Sequence, residues 1–297
     1  MTKMMRLTGG ALVLTLVLAA PLLAQASKGI AVTAPRPLWD AINALEAAAG
    51  GTVNYEDVPY ENPADVQDYS TPAQRAAQPQ GWQLLGPVTG TVTAEIPVPA
   101  NGAVTANDLL YDVNLLLASY RQNHLPGDFQ VEQANGMLYV MATKVLGANG
   151  VVRTVTSPML TVITIPTADR SVVGTVQAIF DAVGKATGLR IGVATFPFWP
   201  SQRVAFGATA EVARDALARL FAQSSSRPLS YRMIFEPKCD RMRAYDYIVN
   251  VAPSGYVPPM APPAYGPINK SAGSTPSTPA SAHPPGAPRP NQGPAKP

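Results

Sequence analysis

The sequence predicts an α+β protein built as two tandem β-α-β-β-α-β-β modules, each with small sheets around a helix pair, followed by a disordered Pro-rich tail. Three observations lead there. An amphipathic helix, a glycine stop and an alternating strand (Pro37 to Glu56) return 138 residues later, in Ser171 to Thr195. A second helix opening on Thr-Ala occurs once in each half, at Thr105 and Thr209. After Val251 the composition collapses to Pro, Ala, Gly and Ser.

The chain begins with Lys3 and Arg6, an apolar run from Ala11 to Ala24, and the small-residue pattern Ala24-Gln25-Ala26. The run is too short to span a bilayer comfortably and has the length of a secretory core. Residues 1–26 are therefore expected to be a signal peptide cleaved near Ala26, leaving a periplasmic or secreted product. No later apolar stretch reaches membrane-spanning length.

The first module is placed at residues 27–145. "GIAV" (Gly29 to Val32) supplies a strand. Leu38, Ala41, Ile42, Leu45 and Ala49 recur at steps of three and four, which puts them on one helical face. Pro37 suits the first turn of that helix, and Gly50-Gly51 its end. Val53 and Tyr55 then alternate with Asn54 and Glu56, as in a half-buried strand. An insertion at about 57–90 interrupts this module only, and reads as a solvated loop. "TVTAEIPV" (Thr91 to Val98) leads to a helix over Thr105 to Tyr120, with Thr105 as N-cap. "DFQVEQANGMLYVMA" (Asp128 to Ala142) reads as a hairpin turning at Asn135-Gly136.

A linker is placed at 146–157 and the second module at 158–251. "MLTVITI" (Met159 to Ile165) matches the first strand. Val176, Ile179, Phe180 and Val183 stand where Leu38, Ala41, Ile42 and Leu45 stood, and Gly188 matches Gly50. "RVAFGA" (Arg203 to Ala208) precedes the second helix, with Thr209 as expected N-cap, and Leu217, Leu220 and Phe221 match Val113, Leu116 and Leu117. "PLSYRMIF" and "AYDYIVNV" (within Pro228 to Val251) close the module. The shared order of seven elements carries more weight than any one match. Residues 252–297 hold fourteen prolines and three Lys or Arg residues. That composition lacks a periodic apolar pattern and is expected to stay solvated.

The wording "PLWDAINALEAAAGGTVNYE", with the later "ARDALARLFAQ…PLSYRM", resembles the small N-terminal periplasmic domains of secretins. It is similar as well to the short N-terminal (STN) signalling domain of TonB-dependent receptors. The resemblance covers most of 29–143 and again 158–251. It implies this fold and protein–protein contact in the bacterial envelope. It brings no catalytic motif, and neither a secretin channel domain nor a membrane barrel follows.

Charge and chemistry narrow the functional classes. Beyond residue 26 there are 20 basic residues against 19 acidic ones, with no basic block for nucleic acid or anionic lipid. Cys239 is the only cysteine, so no internal disulfide forms. His124 follows a helix end, where a cation is a routine stabiliser, and His283 lies in the tail. No nucleophile elbow, P-loop or H-E-x-x-H occurs, and no cofactor or metal is expected. Two stretches remain as candidate sites. Glu56, Asp57, Glu61, Asp65 and Asp68 fall within thirteen residues; such carboxylates can gather Ca²⁺, act as an acid–base pair, or simply solvate a loop. Phe196, Phe198 and Trp199, interleaved with Pro197 and Pro200, either form a partner contact or close the core. The expected function is a non-enzymatic interaction or scaffold protein of the cell envelope, with an envelope protein as partner. The alternative is an envelope hydrolase or carbohydrate-binding protein that uses the acidic insertion and the aromatic loop.

Overall fold

The computed structural model of the chain describes residues 27–77, 83–98, 104–195, 202–225, 227–237 and 245–254. The expected signal peptide, Trp82, the aromatic loop of Phe196, Phe198 and Trp199, Cys239 and the tail beyond Ser254 lie outside the described residues.

The first module opens with β1 (Ser27–Ala34), α1 (Pro37–Ala49) and β2 (Val53–Glu56). The expected apolar stripe of α1 is the buried one, and Pro37 stands in its first turn. Gly50 and Gly51 both adopt positive φ, 74° and 90°, which favours glycine and turns the chain into β2. The insertion is not the structureless loop expected. It carries a 3₁₀ turn (Pro63–Asp65), β3 (Val66–Asp68), α2 (Pro72–Ala77) and β4 (Leu85–Pro87), with β3 and β4 antiparallel. Then come β5 (Gly90–Pro97), α3 (Ala106–Gln122), β6 (Asp128–Ala134), β7 (Met137–Leu146) and a short β8 (Val152–Thr154). Thr105 caps α3 as expected: its Oγ1 accepts from Asp108 N at 3.2 Å while Asp108 Oδ2 accepts from Thr105 N at 2.9 Å. This reciprocal pair satisfies two otherwise orphaned donors.

The second module runs β9 (Val162–Ser171), α4 (Val172–Thr187), β10 (Ile191–Thr195), β11 (Arg203–Val212), α5 (Ala213–Ser224), β12 (Leu229–Phe235) and β13 (Tyr247–Pro253). Two boundaries differ from expectation. Pro158–Leu160 form a 3₁₀ turn capped by Ser157, so β9 starts later than Met159. Thr209 is not an N-cap, because β11 keeps pairing with β9 as far as Val212–Val162 and Ala213 N donates to Thr161 O. Ladder pairing outweighs the cap there, and α5 starts three residues late with no side-chain cap.

Strand pairing repeats from module to module. β1 pairs β5, and β9 pairs β11, both antiparallel. β2 pairs β7, and β10 pairs β13, both parallel. β6 pairs β7, and β12 pairs β13, both antiparallel. Each helix pair thus lies between a two-stranded and a three-stranded sheet. What the sequence did not announce is that the two three-stranded sheets fuse. β12 pairs parallel to β2, Arg232 opposite Tyr55, giving the order β10-β13-β12-β2-β7-β6, with β8 also on β7.

The fusion explains why β2 is buried at all four positions rather than on one face. Successive residues point to opposite faces. Arg232 reaches Asn43 and Glu46 of α1 on one face. Glu56 and Tyr231 meet on the other, where α5 holds Arg214 4.8 Å from the Tyr139 ring centroid. The two helix pairs therefore cover opposite faces of one sheet, and a single apolar core runs through both modules. Among the described residues no helix is long and apolar enough to cross a membrane.

Candidate functional site

The seam between β2 and β12 ends in a cleft of about 850 Å³. Its walls come from four places: the end of β2, the start of the insertion, the segment Arg153 to Pro158 between the modules, and the ends of β12 and β13 near Phe235 and Tyr247. Glu56, Asp57 and Glu61 line it, while Asp65 and Asp68 do not. Three of the five sequence-selected acids are thus brought to one cleft.

Glu56 is 2% exposed. Tyr231 OH donates to its Oε1 at 2.7 Å and Ser157 Oγ to its Oε2 at 2.5 Å. Burial pushes its carboxyl up to about 7, against the pull of the Ser157 and Tyr231 hydrogen bonds and the Arg214 charge. A carboxyl taken out of water is easier to keep neutral than charged. The three residues come from β2, β12 and the inter-module segment, so this one side chain ties both modules and their connection together.

Asp57 is equally buried and points the other way along the extended chain, its own N–H still donating to Met233 O at 2.8 Å. Its carboxylate receives four donors: Arg36 Nε at 2.9 Å, Tyr55 OH at 2.9 Å, Tyr60 OH at 2.7 Å and Val58 N at 3.1 Å. Burial, then the Asp57 charge, push both phenols up. Burial opposes the charge on Arg36, yet the neighbouring Asp57 raises its pKa overall. Arg36 Nη2 also donates to Phe235 O at 2.6 Å, crossing the seam.

The other acids are held locally. Glu61 pairs with Arg153 across the cleft mouth through Nε at 3.0 Å and a second contact at Nη2. Asp65 sits in the 3₁₀ turn, with its carboxyl raised by burial. Asp68 accepts from Ser70 N at 2.8 Å and Arg75 Nη2 at 2.9 Å. Burial works against that charge, but the Ser70 and Arg75 interactions hold its carboxyl below the ordinary range. Among the described residues no three His, Cys, Asp or Glu side chains gather as a metal site. His124 is an exposed turn residue with φ of 50°.

Several seam residues were not singled out from sequence. Arg232 is 6% exposed, donates to Glu46 Oε2 at 2.5 Å, to Asn43 Oδ1 at 3.1 Å and to Val53 O, while Glu46 Oε1 accepts from Val53 N at 2.7 Å. Asn54 Oδ1 accepts from Tyr231 N at 2.9 Å. The signal was present: Glu46 lies beside Ile42 and Leu45 on the apolar face of α1, and Arg232 interrupts the apolar run "LSYRMIF". A charge at a core position requires a buried counter-charge.

The chain was compared with family models, curated proteins and solved structures, and none matches it.

Proposed function

We propose that the chain is a non-enzymatic, exported interaction or scaffold protein of the bacterial envelope. The observation that carries this reading is the engagement of the cleft acids. Both Glu56 oxygens accept hydrogen bonds, Asp57 receives four donors, and Glu61 is paired with Arg153. Glu56 and Asp57 project to opposite faces, so they do not face each other across a bond to be cleaved. They join two modules. Among the described residues no strand pairs the outer edges of β10 and β6, and open strand edges recruit strands from partners. The resemblance to secretin and STN N-terminal domains, and the export signal expected in residues 1–26, agree with an envelope location.

The aromatic residues Phe196, Phe198 and Trp199 directly follow β10 in the sequence. The test is Trp199→Ala in the mature chain, residues 27–297, used to capture proteins from envelope extract. Binding weakened about 30-fold or more at an unchanged melting temperature supports a contact face. Lost stability with intact binding makes Trp199 core and removes the loop from this reading.

One observation favours a second reading, an envelope hydrolase or carbohydrate-binding protein: Glu56, with its carboxyl near 7, lines a cleft large enough for a small ligand. Hydrolysis or binding of envelope glycan that Glu56→Gln abolishes, without unfolding the chain, would establish it in place of the first.

A further inference from the structure

The fused sheet joins its modules in a way that does not close. The junction uses the β12 edge of module two and the β2 edge of module one, which are not equivalent strands. The equivalent of β12 in module one is β6, and the equivalent of β2 in module two is β10. Among the described residues no strand pairs the outer edge of either. β10 is parallel to β13, β13 antiparallel to β12, and β12 parallel to β2, so β10 and β2 run in opposite directions. Module two is therefore module one turned by half a rotation about the direction across the strands and shifted along it. That operation also puts the helix pairs on opposite faces, as observed. Applied once more it sets β6 of a second chain beside β10 of the first, both in the same direction. Head-to-tail contacts of this kind propagate rather than close.

The side chains at the two ends fit the same operation. At the internal seam α5 overhangs module one: Arg214 lies over Tyr139 and pairs with Glu132 at 3.0 Å, and Asp215 Oδ1 accepts from Asn135 at 2.8 Å. The residues of α3 equivalent to Arg214 and Asp215 are Leu110 and Tyr111. Tyr111 is 56% exposed, an unusual position for a large apolar residue at the side of a helix. On the receiving end, the equivalent of Tyr139 is the half-buried Ile248, next to Gly192. A side chain at Gly192 would meet the Tyr245 ring at 2.8 Å, so Tyr245, 45% exposed, lies over that strand. Around this overhang Arg214, Asp215, Tyr139 and Glu132 are replaced by Leu110, Tyr111, Ile248 and Ile234, while Arg232 on the strand edge is replaced by the polar Gln130. A change on only one side would leave a mismatch.

We propose that β10 and its neighbouring face bind β6 and α3 of a second copy of this chain, so that the sheet continues in parallel from molecule to molecule. Tyr111 packs against Ile248 and Tyr245 of the next chain, and Gln130 stands opposite its Val193, just ahead of the β10 bulge. Val131, the equivalent of Met233, supplies the outward backbone groups. Phe129 takes less part, since Arg121 and Asp128 already engage its backbone O and N. This inference rests on the reading of the chain as an interaction protein with open strand edges, and names the occupant of one.

The test uses the mature chain with Cys239→Ser as background. Sedimentation over a wide concentration range should show mass rising in steps without a closed end-point, and Tyr111→Glu should weaken the association about tenfold or more at unchanged melting temperature. Mixing Gln130→Cys chains with Val193→Cys chains should give a disulfide-linked pair that neither forms alone. A monomer at every concentration, a closed dimer, or crosslinking by Gln130→Cys alone would overturn the proposal. Envelope capture by a chain that stays monomeric would leave the interaction role standing while this inference falls; self-association without any captured partner would do the reverse.

Discussion

Replacing Glu56 by Gln should remove most of the pH dependence of stability between about pH 4.5 and 7. In the folded chain the carboxyl is raised from 4.5 to about 7, chiefly by burial. An unfolded chain releases that proton near 4.5, so across this window the folded state holds more protons than the unfolded one. Stability must then fall as pH rises, and level off once both states are ionised. The difference between 4.5 and about 7, at about 1.4 kcal/mol per pH unit, gives a loss of about 3.5 kcal/mol over the full window, of which about 3 falls between pH 5 and 8. Asp112 on α3, raised to about 6 by burial and then by Asp108, adds a slope of the same sign. Asp68 and Asp128 are lowered, by hydrogen bonds and Arg partners that outweigh burial, so their opposite effect appears only below 3.8. The comparison of Glu56→Gln with the parent isolates the one group. Urea unfolding at pH 5 and pH 8 is the assay. The parent should lose stability toward pH 8, and the variant should lose about 3 kcal/mol less. Equal slopes in the two proteins, or a parent more stable at pH 8, would refute the assignment of Glu56 as a seam carboxyl raised by burial.

Arg232→Ala takes the salt-bridge partner away from the buried Glu46 and should cost about 3–5 kcal/mol in urea unfolding; replacing both Glu46 and Arg232 by Met should cost clearly less. Removing the tail after Ser254 should leave the melting temperature unchanged. Cutting after Pro253 loses the Ser254 N–H to Pro228 O bond at 3.0 Å and the Ser254–Thr52 hydroxyl contact at 2.8 Å, and should cost about 1–2 kcal/mol by the same measurement.

How much of this was legible from sequence depends on the range of the physics involved. Helix periodicity, the Gly50 and Gly188 stops, the Thr105 cap and the Asn135-Gly136 turn are local, and the structure has them where the residues put them. Thr209 failed as a cap because its competitor, the β9 ladder, lies some 46 residues away in the chain. The insertion looked structureless because β3 and β4 are three residues each, too short to show a period. For the site, the acids were found, but Glu56 and Asp57 are buried rather than solvated. A stretch of Glu and Asp beside prolines looks solvated until the neighbouring module is placed on top of it.

That last point carries the larger argument. A half-buried edge strand and a central strand call for different sequences, and β2 carries the pattern of an edge: apolar Val53 and Tyr55 alternating with polar Asn54 and Glu56. In an isolated module the polar pair would face water. The fusion buries it, and each member then needs a specific partner: Tyr231 N for Asn54, Tyr231 OH and Ser157 for Glu56. Satisfied polar groups in a core cost little, whereas unsatisfied ones cost about 1–3 kcal/mol each, so they penalise any other register of β12 on β2. A one-residue slip would turn Arg232 away from Glu46 and break their buried ion pair. At the outer end the corresponding strand carries Gly192 and Ala194 in place of the polar pair Asn54 and Glu56. The internal seam is thus fixed in one register by buried polar pairs, and a self-association through the β10 edge, as proposed above, would have to find its register without them.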